Sequence, residues 1–270
     1  MKIFDFNIHL PKIVNNSTFY DTNTEIEANS DTMFDRFVAN EKLSELDGAN
    51  IMLFNSNCPD NNKSFIDNVR AKVGKRFTFT YLVDFRKSDV KERLIQHIKN
   101  GINCIKFHSY IQKIEESDYS QIVELCKIAE RNNIPICLDA SYGTVNMTKY
   151  DTLSFITTVA REVVKVPLII LHSGGIKCYE FLLLALDRTN VYFETSLTLN
   201  FFEGSITMEN DLRYIYKKLG SEKLLYASDS PYVDFNDSLT LQQKFFSDIF
   251  PAKDLENIFY NNAIGLLNIE

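Results

Sequence analysis

Side chains capable of metal binding or acid–base chemistry appear within the first ten residues, on an apolar segment typical of a buried strand. In Ile3-Phe4-Asp5-Phe6-Asn7-Ile8-His9-Leu10 the polar residues Asp5, Asn7 and His9 occupy alternate positions. Alternate side chains of a β-strand share one face. Burying such groups costs free energy unless something binds them. The segment therefore predicts either a metal-binding face or an N-terminal edge strand whose polar face lies in water.

Later hydrophobic segments also end in polar residues of this kind. At the predicted strand ends lie Asn7 and His9, Lys106 and His108, Asp139, His172, Glu194 and Asp229. Imidazole and carboxylate groups suit zinc, manganese and related divalent ions, which activate water or polarise a substrate oxygen when one coordination position is open. For a single residue of the set, capping of a loop is an alternative role. Glu194, followed by Thr195 and Ser196, is interpreted as such a strand end capped by hydroxyls, and His97, in a helical pattern, as a surface or packing residue.

The elements that would position these residues alternate between short apolar strands and amphipathic helices. After the first strand, strands are predicted at 49–54, 76–83, 101–107, 134–138, 167–171, 191–194 and 223–227. Helices are predicted over 31–46, 59–74, 88–100, 118–132, 152–164, 177–186, 209–219, 239–250 and 253–267. Such alternation indicates parallel strands joined by crossover helices.

Eight such units without a linker predict an α/β fold, a (β/α)8 TIM barrel in one domain over residues 1–270, with an open doubly wound sheet as the alternative. The active site of such a barrel lies at the C-terminal ends of its strands, which is where the polar residues fall. The polar segment 11–30 is predicted to be a long loop over the barrel mouth.

Composition excludes several other classes of function. The net charge of -7 argues against nucleic acid or anionic lipid as a partner. The longest apolar run, 181–186, is far shorter than the roughly 20 residues of a membrane helix. Five scattered cysteines without a CxxC pair argue against a disulfide framework or a structural zinc site. With no cleavable signal after Met1, a cytoplasmic protein acting on a small molecule is expected, and self-association into a homo-oligomer is left open.

Five short motifs, in this order along the chain, resemble the amidohydrolase superfamily. They are Asp5-Phe6-Asn7-Ile8-His9, Lys106-Phe107-His108, Leu171-His172-Ser173-Gly174-Gly175, Ala227-Ser228-Asp229-Ser230-Pro231 and Asn262-Ala263. The sequence is most similar to the amidohydrolase-related branch that includes aminocarboxymuconate-semialdehyde decarboxylase. The strand-six and strand-eight motifs are moderately specific as a pair, and their order and spacing carry the resemblance.

The resemblance implies roles for individual residues. His9 would be a metal ligand on strand one, and Asp229 both a ligand and the general base for a metal-bound water. His172 would be a second ligand or the group that polarises the substrate. Lys106 and His108 point to the same face and suggest a carboxylate-bearing substrate. Lys106 would act as the charge partner of Glu194 or Asp139, or, as in some relatives, as a carboxylated bridge between two metals.

Two departures from the family pattern concern the metal. The usual first strand reads D-x-H-x-H, but Asn7 stands at the first histidine, and Asp139 stands where strand five usually supplies a histidine. An amide oxygen is a weaker ligand for a transition metal than imidazole, whereas a carboxylate could compensate. The expected ligand set is therefore His9, Asp139, His172 and Asp229 with Asn7 nearby, holding zinc, manganese or magnesium. A barrel that has lost its metal is the alternative.

The expected function is hydrolysis of a C–O or C–N bond in a small organic substrate, with Asp229 taking a proton from metal-bound water. His172, Lys106 and His108 would complete the catalytic set. Two alternatives remain open at this point. One is nonoxidative decarboxylation of an aromatic or unsaturated acid, and the other is a catalytically silent barrel that keeps these residues as relics.

Overall fold

A computed structural model describes residues 1–9, 46–53, 62–73, 76–142 and 145–269. Eight parallel strands form one sheet in which each strand pairs with the next in chain order. They are β1 (Phe4–His9), β2 (Gly48–Leu53), β3 (Arg76–Leu82), β4 (Cys104–His108), β5 (Ile136–Asp139), β6 (Leu168–Ile170), β7 (Val191–Glu194) and β8 (Leu224–Leu225). The predicted (β/α)8 barrel is confirmed.

Backbone hydrogen bonds between β1 and the segment that contains and follows β8 close the barrel. Phe6 donates to the carbonyl of Tyr226 at 3.0 Å, and His9 donates to that of Ser230 at 2.7 Å. In the other direction Asp229 donates to the carbonyl of Asn7 at 2.8 Å. These bonds place Asn7 and His9 beside Asp229.

From β2 onward, helices separate successive strands, as expected for crossover connections. Their bounds are Asn62–Val73, Val90–Lys99, Tyr119–Arg131, Thr152–Glu162, Cys178–Asp187, Thr198–Phe201, Ile206–Leu219, Phe235–Ser247 and Ala252–Glu256, with a π-helical turn Asn257–Asn261 leading into Asn262–Leu267. Most lie within a few residues of their predicted bounds, and Thr198–Phe201 is additional. The predicted loop 11–30, and the predicted helix 31–46 except its last residue, lie outside the described residues. Among the helices described, none is long and apolar enough to cross a membrane.

The buried apolar side chains form two clusters. The smaller cluster is made largely of strand residues and includes Phe4, Phe6, Met52, Cys104, Cys137 and Ile169. The larger joins the other strand face to the helices. His97 is a buried residue of the helix Val90–Lys99, and its ring centroid lies 4.2 Å from that of Tyr81. Its predicted packing role agrees with this contact.

Strand β1 does not alternate simply from Asp5 to His9. Its register against β2 is interrupted between Asp5 and Ile8, and Phe4 and Phe6 pack in the smaller cluster. Asn7 and His9 reach Asp229, whereas Asp5 bonds to main chain: its Oδ1 accepts the N–H of Asn7 at 3.1 Å and that of Ser228 at 3.0 Å. The expectation that Asp5 shares one face with the other two is therefore corrected. Asp5 instead helps to hold β1 to the segment after β8.

Two substitutions of Asp5 should distinguish the effect of its hydrogen bonds on stability from the effect of its charge. Burial raises the pKa of Asp5 from 3.8 to about 7 despite the N–H donors. Between these two pH values the folded protein keeps the Asp5 proton that the unfolded chain has lost, so the unfolding free energy falls as the pH rises from 3.8 to about 7. Asp5→Asn keeps the acceptor oxygen and should remove this loss of stability with rising pH. Asp5→Ala leaves two buried N–H groups without an acceptor and should cost about 2–4 kcal/mol of unfolding free energy. Urea denaturation across this pH range measures both, and equal losses for the two variants would contradict the assignment.

Candidate functional site

Eight polar side chains, on or just after six of the strands, come together at the C-terminal ends of the strands. Each is at most 6% exposed: Asn7, His9, Lys106, His108, Asp139, His172, Glu194 and Asp229. These are the residues that the sequence placed at strand ends. Their hydrogen bonds divide them into two groups, each built around one carboxylate.

An ion pair between Lys106 and Asp139 forms the first group. Lys106 Nζ lies 2.8 Å from Asp139 Oδ2. Asp139 Oδ1 accepts the Ser141 hydroxyl at 2.6 Å and lies 3.5 Å from His108 Nε2. Burial alone would raise the pKa of Asp139, but His108, Lys106 and His172 hold it well below its usual value. Burial also disfavours the Lys106 ammonium, yet Asp139 outweighs that effect and raises the pKa of Lys106, so the pair is charged at neutral pH.

The second carboxylate, Asp229, is held by residues of β1. Asp229 Oδ1 lies 3.3 Å from His9 Nε2 and accepts a hydrogen bond from the Asn7 amide at 3.2 Å. Asp229 has a φ of +60°, a left-handed conformation that aspartate tolerates better than most residues. Burial lowers the pKa of His9 although Asp229 opposes the shift, so His9 is a neutral ring at pH 7.

His172 lies between the two groups. Its Nε2 is 3.5 Å from Asp139 Oδ2, and its Nδ1 is 3.0 Å from the Ser196 hydroxyl. Burial would lower the pKa of His172, but the Asp139 carboxylate, followed by Asp229 and Glu194, outweighs burial and raises it to about 9. The site therefore contains a second buried cation besides Lys106 at neutral pH.

Glu194 belongs to the site, which corrects its interpretation as a simple strand-end cap. Glu194 is fully buried. Its Oε1 accepts the Ser196 N–H at 2.5 Å, while its Oε2 accepts the His172 N–H at 3.1 Å and the Asn7 amide at 3.4 Å. Burial raises the pKa of Glu194. The sequence signal was a glutamate at the end of an apolar strand, followed by two hydroxyl residues. It did not predict the contacts of Ser196 with His172 and Asn7, or that of Ser141 with Asp139.

The backbone after β6 positions His172 through four consecutive residues with positive φ. These angles are +57° at His172, +51° at Ser173, +83° at Gly174 and +55° at Gly175. Such conformations cost free energy for residues with a side chain. A Cβ on Gly175 would also lie 2.9 Å from the carbonyl oxygen of Ala140, so glycine is required there for close approach of two main chains.

Replacing Gly175 by alanine should lower the unfolding free energy by about 3 kcal/mol, from backbone strain together with overpacking. Gly204→Ala is the matched control, because Gly204 has a φ of +82° but would have no atom within 4 Å of an added Cβ. That variant should lose only about 1 kcal/mol. Denaturant titration of both measures the difference, and a similar loss in the two would refute the close approach at Ala140.

The donor atoms of these residues fit a divalent ion only in part. Two ligand atoms of a tetrahedral zinc ion lie about 3.4 Å apart, which matches the 3.3 Å between His9 Nε2 and Asp229 Oδ1. Within the described ranges, however, no three His, Cys, Asp or Glu side chains are placed to hold one ion. The Lys106 ammonium faces Asp139, and the Asn7 amide group points its hydrogens at Asp229. The donors in this arrangement do not fit an ion bound by His9, Asp139, His172 and Asp229 together.

Comparisons with known proteins agree with the fold and the motifs. The sequence profile described as amidohydrolase matches residues 29–269. None of the curated proteins matches the chain.

Solved structures with this fold cover nearly the whole chain. A probable 2-pyrone-4,6-dicarboxylic acid hydrolase from Acinetobacter baumannii, with citric acid bound, has a TM-score of 0.68 at 14% identity, covering 100% of both chains. An amidohydrolase from Burkholderia multivorans with bound zinc has a TM-score of 0.70 at 10% identity, again covering 100% of both. A 2,6-dihydroxybenzoate decarboxylase with its bound dihydroxybenzoate has a TM-score of 0.68 at 11% identity, covering 99% of both. At these identities the likeness establishes the fold.

Proposed function

The chain belongs to the amidohydrolase family, and we propose that it is a hydrolase of a small, carboxylate-bearing substrate with a C–O or C–N bond at a carbonyl carbon. The observation that carries the proposal is that a carboxylate and two cationic side chains lie close together at the barrel mouth. The buried Asp229 carboxylate, held by His9 and Asn7, lies close enough to Lys106 and His172 to favour the charged form of both. A base and two cations are thus held beside one another, as attack of water on a carbonyl requires.

Asp229 is the proposed general base. It accepts a proton from water as the water oxygen bonds to the carbonyl carbon. Neutral His9 fixes the carboxylate by donating from Nε2. Asn7 Oδ1 is a buried acceptor without a hydrogen-bond partner among the described residues, and it can hold the second hydrogen of that water. Water is therefore placed by strand β1 and activated from the β8 side.

Lys106 and His172 are the proposed electrophilic groups. The carbonyl oxygen gains negative charge as water adds, and preorganised buried cations stabilise that charge more than solvent would. When the C–O or C–N bond breaks, the leaving oxygen or nitrogen takes the proton held by Asp229, which restores the carboxylate. A substrate carboxylate would bind the same cations, since the chain offers Lys106 and His172 at one place.

The family's usual divalent ion is not part of these steps. A zinc-containing relative shows that the fold accommodates an ion. In this chain the oxygens that would bind one are already paired with Lys106 and Asn7. The proposed steps therefore use only side chains of this protein.

Hydrolysis and its alternatives can be separated with a panel of lactones, esters, amides and aromatic acids, each with and without a second carboxylate. Acid release, followed with a pH indicator, supports the proposed hydrolase, and a preference for the carboxylate-bearing member supports the binding role of the two cations. Carbon dioxide release without hydrolysis would replace the proposal with decarboxylation. A protein that binds members of the panel without converting them would be the catalytically silent barrel.

The pH dependence of kcat/KM should reflect the protonation state of His172. Because its pKa is raised to about 9, His172 is protonated at neutral pH, and its proton is lost as the pH rises through 9. We expect kcat/KM of the hydrolysis to fall above about pH 9, as an electrophilic cation is discharged. His172→Gln should have a low and nearly flat rate in that range. A wild-type rate that keeps rising beyond this pH would contradict a cationic His172.

A further inference from the structure

We propose that the Lys106 ammonium stands at the position where a divalent ion would bind Asp139, so that this centre carries a fixed side-chain cation instead of that ion. The proposal concerns ion binding and can be tested whatever reaction the protein catalyses. It predicts that Lys106, rather than the loss of a histidine at Asn7, is what keeps an ion from Asp139.

The first support is the geometry around Asp139 Oδ2. Lys106 Nζ lies 2.8 Å from this oxygen, and His172 Nε2 lies 3.5 Å from it. A metal ion would bind the oxygen at about 2.1 Å and would lie within a few ångströms of the ammonium. Two positive centres at that separation repel strongly in a buried site, where water screens them little. Lys106 is 3% exposed, so its ammonium is shielded from solvent.

The other Asp139 oxygen is occupied as well. Oδ1 accepts the Ser141 hydroxyl at 2.6 Å and the Ser141 N–H at 3.0 Å. His108 Nε2 lies 3.5 Å from the same oxygen. Both carboxylate oxygens of Asp139 therefore accept hydrogen bonds from protein donors, and Asp139 pairs with a side-chain cation.

The second support is the donor direction at Asn7. Asn7 Nδ2 lies 3.2 Å from Asp229 Oδ1, 3.4 Å from Glu194 Oε2 and 3.4 Å from Ser196 Oγ. Three oxygen neighbours fix which end of the amide faces them, since turning the amide would place its oxygen against two carboxylates. Asn7 thus acts as a donor to Asp229 and not as a ligand beside it.

The test uses untagged full-length protein, treated with a chelator and then titrated with ZnCl2, MnCl2 and MgCl2 by calorimetry, with metal content measured by mass spectrometry. The wild type should bind no stoichiometric ion. Lys106→Met keeps the length of the side chain and removes its charge, and its affinity for Zn²⁺ should exceed that of the wild type by at least about tenfold. Lys106→Met/Asp139→Asn should lose this gain. Lys63→Met, which removes a lysine from an exposed pair with Asp67, should behave as the wild type does.

Several results would overturn the proposal. One is a wild-type protein that holds one equivalent of a divalent ion and loses it on Asp139→Asn. Another is a carboxylated Lys106 with two bound ions. A third is a folded Lys106→Met protein that gains no affinity for any of the three ions. If Lys106→Met does not fold, Lys106→Gln replaces it, and the wild-type titration with its Asp139→Asn comparison remains decisive.

Discussion

Asp229→Asn should abolish the hydrolytic activity while leaving the fold intact. The amide has the shape of the carboxylate and can still bond to His9 and Asn7, but it cannot accept a proton from water. General-base groups typically contribute about 10² to 10⁴ in rate, so kcat/KM should fall by that factor. Kinetics on the best substrate of the panel, together with circular dichroism and a denaturation curve, measure the two parts of the prediction.

A matched control lies on the next helix. Asp237 is an exposed aspartate in the first turn of Phe235–Ser247, so Asp237→Asn makes the same chemical change outside the site. Its kcat/KM should stay at the wild-type value. If Asp229→Asn retained most of its activity, the general base would have to be another group, and if both variants were inactive, the loss would not be specific to the site.

The fold could be predicted because the barrel repeats one pattern. Each strand is a short apolar run and each helix has an apolar face, so even β8, only two residues long, was located from Leu224 and Leu225. Local interruptions of the pattern were not visible. The register shift in β1 moves Asp5 out of line with Asn7 and His9, and it depends on hydrogen bonds to residues more than 200 positions away.

The position of the site could also be predicted, because parallel strands bring their C-terminal ends together. The pairing of its side chains could be predicted only in part, because the sequence left Glu194 and Asp139 as alternative charge partners of Lys106. Lys106 and Asp139 are 33 residues apart in sequence, and only the register of β4 against β5 brings them within 2.8 Å. The contact of Glu194 with His172 could not be predicted, because it is made by the main-chain N–H of a turn that follows another strand. Sequence thus identified the members of the site, while the register of the strands determined their partners.

Lys106→Met should lower the unfolding free energy by about 3 kcal/mol, because it leaves the Asp139 carboxylate buried without its main counter-charge. His172, 3.5 Å from Asp139 Oδ2, and the Ser141 hydroxyl still face the carboxylate, so the loss stays within the stability of a typical domain. Lys63→Met, in a pair whose side chains are 61% and 53% exposed, should cost at most about 0.5 kcal/mol. Urea denaturation measures both.

The double variant Lys106→Met/Asp139→Asn tests whether the pair is the cause. If Lys106 stabilises the protein through Asp139, neutralising both should cost clearly less than the sum of the single substitutions, and simple additivity would contradict the pairing. Zinc provides an independent check, since an ion that binds only the folded protein raises its stability in proportion to the logarithm of the ion concentration. Added Zn²⁺ should therefore return part of the lost stability to Lys106→Met, where Asp139 is open, and none to the wild type or the double variant.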